Sequence, residues 1–296
     1  MDGTMKKLSV FLFIFILLIS SGCTAGSENY DIVATTLPVY DFTAAICEGT
    51  DLTVGRLVTE SVSCLHDYSL QVSQMRMIES ADMIVISGAG LEGFLEDALS
   101  GSQQIIDASV NAHMHTGGHH HDGDDHHAHD HEQDPHIWLS TENAAVMASN
   151  ICDQLCNTYP QYQSLFRENL TALQQKLIDL QSYGDEQLQQ LRNRELITFH
   201  DGFAYFAESF NLEILEAIEE ESGSEASAAE IIHLVNLIQA HQLPAVFTET
   251  SGSDACASVL AAETGVKVFT LDMAMAGNSY FDAMYHNINT VKEALG

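Results

Sequence analysis

Residues 162–191 place the strongest constraint on what this chain can fold into. Leucines at 165, 170, 173, 177, 180, 188 and 191 recur at helical spacing with polar residues between them. At 1.5 Å per residue, about 30 residues make a helix about 45 Å long. That exceeds what one small lobe can cover, so the helix is expected to bridge two bodies.

The sequence on either side supplies those bodies. Upstream, strand-like runs at 31–37, 52–58, 82–87 and 104–106 alternate with helical stretches at 38–49, 70–79, 91–99 and 141–157. Downstream, strand-like runs at 195–199, 212–217, 245–248 and 266–270 alternate with helical stretches at 203–209, 226–241, 254–264 and 280–295. Ser227 and Glu230 have capping-box spacing at the start of one of these helices. Alternation of this kind predicts parallel sheets with right-handed crossovers. The expected fold is α/β: two α/β lobes with parallel sheets, joined by a long linking helix. The expected divisions are a signal peptide at 1–22, an N-terminal lobe at 23–158, the linking helix at 159–192 and a C-terminal lobe at 193–296.

The first 22 residues are set apart by their chemistry. Lys6 and Lys7 precede an apolar run of 12 residues, 8–19, which is too short to span a bilayer. Ser20, Ser21, Gly22 and Cys23 follow. This is a lipoprotein-type signal in which Cys23 carries the lipid, although Ser20 stands where such signals usually have leucine. The alternative is an ordinary cleaved signal and a periplasmic protein. The chain is therefore expected outside the cytoplasm, anchored on the outer face of the membrane. About 270 residues remain, enough for two lobes. The formal net charge of −32 excludes a nucleic-acid partner and is compatible with gathering cations. With Cys23 lipidated, Cys47, Cys64, Cys152, Cys156 and Cys256 remain, without a Cys-x-x-Cys motif. Most are expected to be small buried residues.

Fifteen histidines are too many to be incidental. Nine lie in a low-complexity segment at 112–133: His113, His115, His119, His120, His121, His126, His127, His129 and His131, interleaved with acidic residues. Such a segment cannot build a core and is expected to be a surface loop that binds Zn²⁺, Cu²⁺ or Ni²⁺ weakly, as an auxiliary store. Three others are expected at junctions where strands give way to loops or helices: His66 in SCLHDYS, His136 in DPHIWLS and His200 in ITFHDGF. Asp272, after the last strand in FTLD, has a similar position. The carboxyl ends of parallel strands form ligand crevices. Singly, each histidine also has an ordinary role as a capping or hydrogen-bonding group. Together, three imidazoles and one carboxylate form a donor set suited to tetrahedral Zn²⁺. His233, His241 and His286 are expected to be ordinary helix residues, and Glu249 is expected near the cleft without being a ligand.

Motifs along most of the chain carry a family resemblance. They are IVATTLPVYDF, ADMIVISGAGLEGFLE, DPHIWLS, ITFHDGFAYFAESFNL, SEASAAEI, AVFTET and TGVKVFTLD, with a His/Asp-rich loop just before DPH. The chain resembles the zinc-binding lipoproteins of zinc/manganese ABC importers, the cluster A-I solute-binding proteins. The resemblance implies a metal in the cleft between two lobes, a rigid linking helix and delivery of Zn²⁺ to the permease of a zinc importer by a monomer. It implies His66, His136 and His200 as ligands, with Asp272 or water as the fourth. Manganese members of the family tend to carry Glu where His200 stands, so the imidazole favours the softer Zn²⁺. The first motif departs from the family pattern at Cys64 and Asp67, and the last at Met273 and Ala274. Other readings are an exported zinc hydrolase, a metal buffer based on the loop, or a manganese-binding member of the same family. No His-Glu-x-x-His helix or partnered general base supports the hydrolase, so the chain is not expected to be an enzyme.

Overall fold

The computed structural model describes residues 29–60, 62, 65, 68–95, 98–99, 103–115, 133–218, 227–250 and 254–296. Two four-stranded parallel sheets organise them. The first contains β1 (Ile32–Ala34), β2 (Val54–Arg56), β3 (Met83–Ile86) and β4 (Gln104–Asp107) in the order β2-β1-β3-β4. The second contains β5 (Glu195–Thr198), β6 (Glu213–Ala217), β7 (Ala245–Glu249) and β8 (Lys267–Leu271) in the order β6-β5-β7-β8. The two halves thus share one winding, with the switch point between β1 and β3 in one and between β5 and β7 in the other.

Helices α1 (Leu37–Cys47), α2 (Val72–Ser80) and α3 (Thr141–Thr158) belong to the first half. The linking helix is α4 (Gln163–Leu188), and α5 (Ala204–Ser209), α6 (Ala228–His241), α7 (Ala255–Thr264) and α8 (Tyr280–Leu295) follow. The α/β expectation holds, and the differences are local. The first strand ends before residue 37, because Thr36 is the extended residue before α1 and Pro38 fits its first turn. Only a 3-10 turn, Gly93–Leu95, occurs among the described residues of the helix expected at 91–99. There Glu92 folds back onto the Ser87 and Gly88 amides. The linking helix stops at Leu188 rather than 191. Arg194 donates to the carbonyls of Leu188 and Gln189, closing the helix end. Ser227 and Glu230 form the expected capping box.

One apolar core crosses both halves. It runs from Ile32 and Phe42 through Trp138, Leu173 and Leu180 to Phe247, Tyr280 and Leu295. Helix α4 packs against α1, α3 and α8, so it is embedded in that core and is not a free strut. Smaller clusters cover the outer faces, with α2 on the first sheet and α6 and α7 on the second. Polar contacts pin the halves together: Trp138 Nε1 donates to Met273 O (2.7 Å), Tyr280 OH to Trp138 O (2.8 Å) and Arg56 to Gly277 O (3.0 Å). Cys47, Cys152, Cys156 and Cys256 are free and buried. Burial pushes the Cys47 and Cys152 thiols up to about 12, so they act as small core residues. Cys23 and Cys64 lie outside the described residues. No helix among the described residues is long and apolar enough to cross a membrane.

Candidate metal centre

His200 follows β5 directly, at the switch point of the second sheet. Thr198 Oγ1 donates to the His200 carbonyl (3.1 Å) and orients the turn. On the adjacent strand, the buried Glu249 ends β7 with Oε2 3.8 Å from His200 Nδ1. His136 arrives differently from the sequence expectation: it ends no strand. It precedes the 3-10 turn Ile137–Leu139, held by an Asx turn in which Asp134 Oδ1 accepts from the His136 amide (2.9 Å). The same oxygen lies 2.8 Å from His136 Nδ1. A proton on Nδ1 satisfies this contact and leaves Nε2 as a lone pair.

That lone pair faces His200. The two Nε2 atoms are 3.4 Å apart, with the rings nearly perpendicular at 82°. Two nitrogens on one tetrahedral zinc, each about 2.0–2.1 Å from the ion, stand about 3.3–3.4 Å apart. The spacing is therefore that of two ligands on one ion. Gly202 makes the close approach possible. A Cβ there would lie 2.6 Å from Met273 Cε, 2.7 Å from His200 Cδ2 and 2.9 Å from His136 Nδ1.

A cavity of about 310 Å³ lies between the halves, lined by Thr59 and Val62 from one and by Glu249, Thr250, Asp272 and Met273 from the other. Asp272 is thus on the cavity wall. Its Oδ1 accepts from the Ala274 amide (2.7 Å), and its backbone is clasped by Asn287. Among the described residues, no third His, Cys or carboxylate brings a ligand atom within 4.8 Å of both His136 and His200. His66 lies outside the described residues, as do Cys64, Asp67, His119, His120, His121, His126, His127, His129 and His131. Nearby, Leu65 is buried, and Tyr68 and Gln71 both donate to Glu60.

Sequence reasoning passed over Asp134 and Gly202. Asp134 had a signal in Asp-Pro-His, where an aspartate two residues before a histidine can accept from its amide. Gly202 had none, because only the tertiary approach of Met273 and His136 requires it. His233 and His241 pair with Glu216 (3.4 Å) and Glu195 (3.1 Å) on the surface, and His286 contacts Thr270 O (3.0 Å), which are ordinary roles.

The profile of the family described as "zinc-uptake complex component A periplasmic", ZnuA, matches residues 32–294. A protein of Treponema pallidum (strain Nichols), described as a candidate metal-binding protein, is 28% identical over 94% of this chain and 93% of its own length. The zinc-binding lipoprotein AdcA of Streptococcus pneumoniae (strain R6) is 28% identical over 98% of this chain, which spans 61% of AdcA. Among solved structures, the Zn(II)-bound ZnuA-like domain of S. pneumoniae AdcA superposes with a TM-score of 0.75. It is 25% identical and covers 90% of this chain and 99% of that domain.

Proposed function

We propose, because this chain belongs to the ZnuA family of periplasmic zinc-uptake components, that it captures Zn²⁺ between its two halves and hands the ion to the permease of an ABC importer. The observation that carries this is the pair of Nε2 atoms 3.4 Å apart on His136, whose Nδ1 is held by Asp134, and His200, whose Nδ1 lies 3.8 Å from Glu249 Oε2. His136 and His200 act as two ligands. His66 is the third, carried over from the position it holds in the family motif. Asp272 or a water completes the set. The Asp134 carboxylate holds the His136 tautomer that presents the Nε2 lone pair to a cation. Three imidazoles favour Zn²⁺ over the harder Mn²⁺.

The role is capture and release, not catalysis. Shared core packing along α4 limits hinge motion, so exchange proceeds through local shifts at the cleft. The chain acts as a monomer, held at the membrane by a lipid on Cys23. The histidine-rich segment stores zinc at lower affinity.

Competitive titration of the metal-free mature protein tests this reading. Zn²⁺ is expected to bind one tight site, with Mn²⁺ much weaker, and His200→Ala to weaken that site by about 100-fold or more. Unchanged tight binding in His200→Ala, or a preference for Mn²⁺, refutes it. His66→Ala is expected to behave as His200→Ala does.

A further inference from the structure

At the start of the histidine-rich segment, the chain is ordered by specific bonds. The His113 amide donates to Asn143 Oδ1 (2.8 Å), and Asn143 Nδ2 returns a bond to His113 O (2.9 Å). The His115 amide donates to Tyr205 OH (2.9 Å), and the Asp134 amide donates to His115 O (3.3 Å). Tyr205 OH in turn donates to Asp134 O (2.9 Å). Burial pushes the Tyr205 phenol up to about 12, so it keeps the proton it donates. Met114 packs on the core, while the rings of His113 and His115 meet each other with centroids 5.1 Å apart.

Those two imidazoles meet Glu208, on α5 of the second half, one helical turn after Tyr205. His115 Nε2 is 2.9 Å and His113 Nε2 3.6 Å from Glu208 Oε2, and all three ligand atoms lie within 4.8 Å of one another. Donors on a tetrahedral zinc stand about 3.3 Å apart, between these two distances. The His115 ring is fixed against Tyr205, with centroids 4.5 Å apart. A preorganised backbone holds the two imidazoles of this triad, and the carboxylate comes from the other half.

We propose that His113, His115 and Glu208 form a second Zn²⁺ site, separate from the cleft, that cross-links the two halves at the root of the histidine-rich segment. Two imidazole nitrogens and one carboxylate oxygen bind the ion, and water takes the open position. All three side chains reach solvent, so the ion exchanges more readily here than in the cleft. The site stands on its own geometry and does not depend on the cleft reading.

The test uses the full mature chain titrated with Zn²⁺ alone against a chelator. The backbone at His115 and Asp134 is already side by side, so residues 116–131 can be replaced by two glycines. In a His200→Ala protein with that replacement, one zinc equivalent is expected to remain. Adding Glu208→Ala is expected to weaken it by about tenfold or more. In the otherwise unaltered chain, Glu208→Ala is expected to leave the tight cleft equivalent within about twofold. Loss of the equivalent on replacing 116–131, or indifference to Glu208→Ala, means the triad is an ion pair only and overturns the proposal. If His200→Ala changes nothing while Glu208→Ala removes an equivalent, the cleft reading fails and this one stands.

Discussion

The two sheets are wound in the same strand order, yet the carboxylates at their switch points do different work. In the first sheet Glu92 turns back onto its own half. It accepts from Thr35 Oγ1 (2.7 Å), the Ser87 amide (2.7 Å) and the Gly88 amide (3.0 Å), tying the ends of β1 and β3 together. Thr36 Oγ1 and Ser87 Oγ, 2.8 Å apart, add a second tie. In the second sheet the corresponding crevice, between β5 and β7, places Glu249 beside the imidazole of His200. One crevice is stitched by its own hydroxyl and amide groups, and the other sets a carboxylate beside an imidazole. Equal topology therefore supplies two crevices, and the side chains at the strand ends make them chemically different.

The largest expected effect sharpens the first half of this contrast. Burial raises the Glu92 carboxyl to about 7, against its three hydrogen bonds. The folded chain then keeps this proton over a range in which the unfolded chain has lost it. Stability from this group is complete below about pH 4, declines as pH rises and is lost above about pH 7, by on the order of 3 kcal/mol. Denaturant unfolding at pH 5 and pH 8 should show that drop in the wild type and a smaller one in Glu92→Gln, with zinc affinity unchanged at either pH. If Glu92→Gln weakened zinc as much as a cleft substitution, the two crevices would not be functionally distinct.

Asp134→Ala comes next. Without the carboxylate, His136 loses the partner of Nδ1, and zinc affinity is expected to fall by 10- to 100-fold, about 1.4–2.7 kcal/mol. Isothermal titration against a chelator measures it. Affinity within twofold of wild type would mean that His136 does not depend on this contact. Gly202→Ala is expected to weaken zinc by about tenfold, because the added methyl displaces His200, His136 or Met273. A crystal structure of that variant with unmoved imidazoles and unaltered affinity would remove Gly202 from the site.

Much of the architecture was legible because it follows from short-range rules. Helical spacing of leucines announced α4, and Ser227 with Glu230 announced the start of α6. The misjudged segments were those where a side chain overrides local preference. Apolar periodicity at 91–99 suggested a helix, but Glu92 binds the preceding amides and leaves only a 3-10 turn among the described residues. His136 is expected where a strand gives way to a loop or helix, whereas an Asx turn from Asp134 holds it before a 3-10 turn.

By itself, the sequence determined the α/β class, the long helix between two sheet-bearing halves, and a set of histidines rich enough to bind metal. These depend on periodicity, composition and residue type, all of which are local. Only the tertiary structure decided that His136 and His200 meet at 3.4 Å, that Glu249 and Asp134 stand behind them, and that Gly202 must be small. It alone brought Glu208 to His115, across 93 residues of chain, and to the neighbouring His113. Proximity between distant segments is set by how helices and sheets pack, and no spacing along the chain encodes it directly.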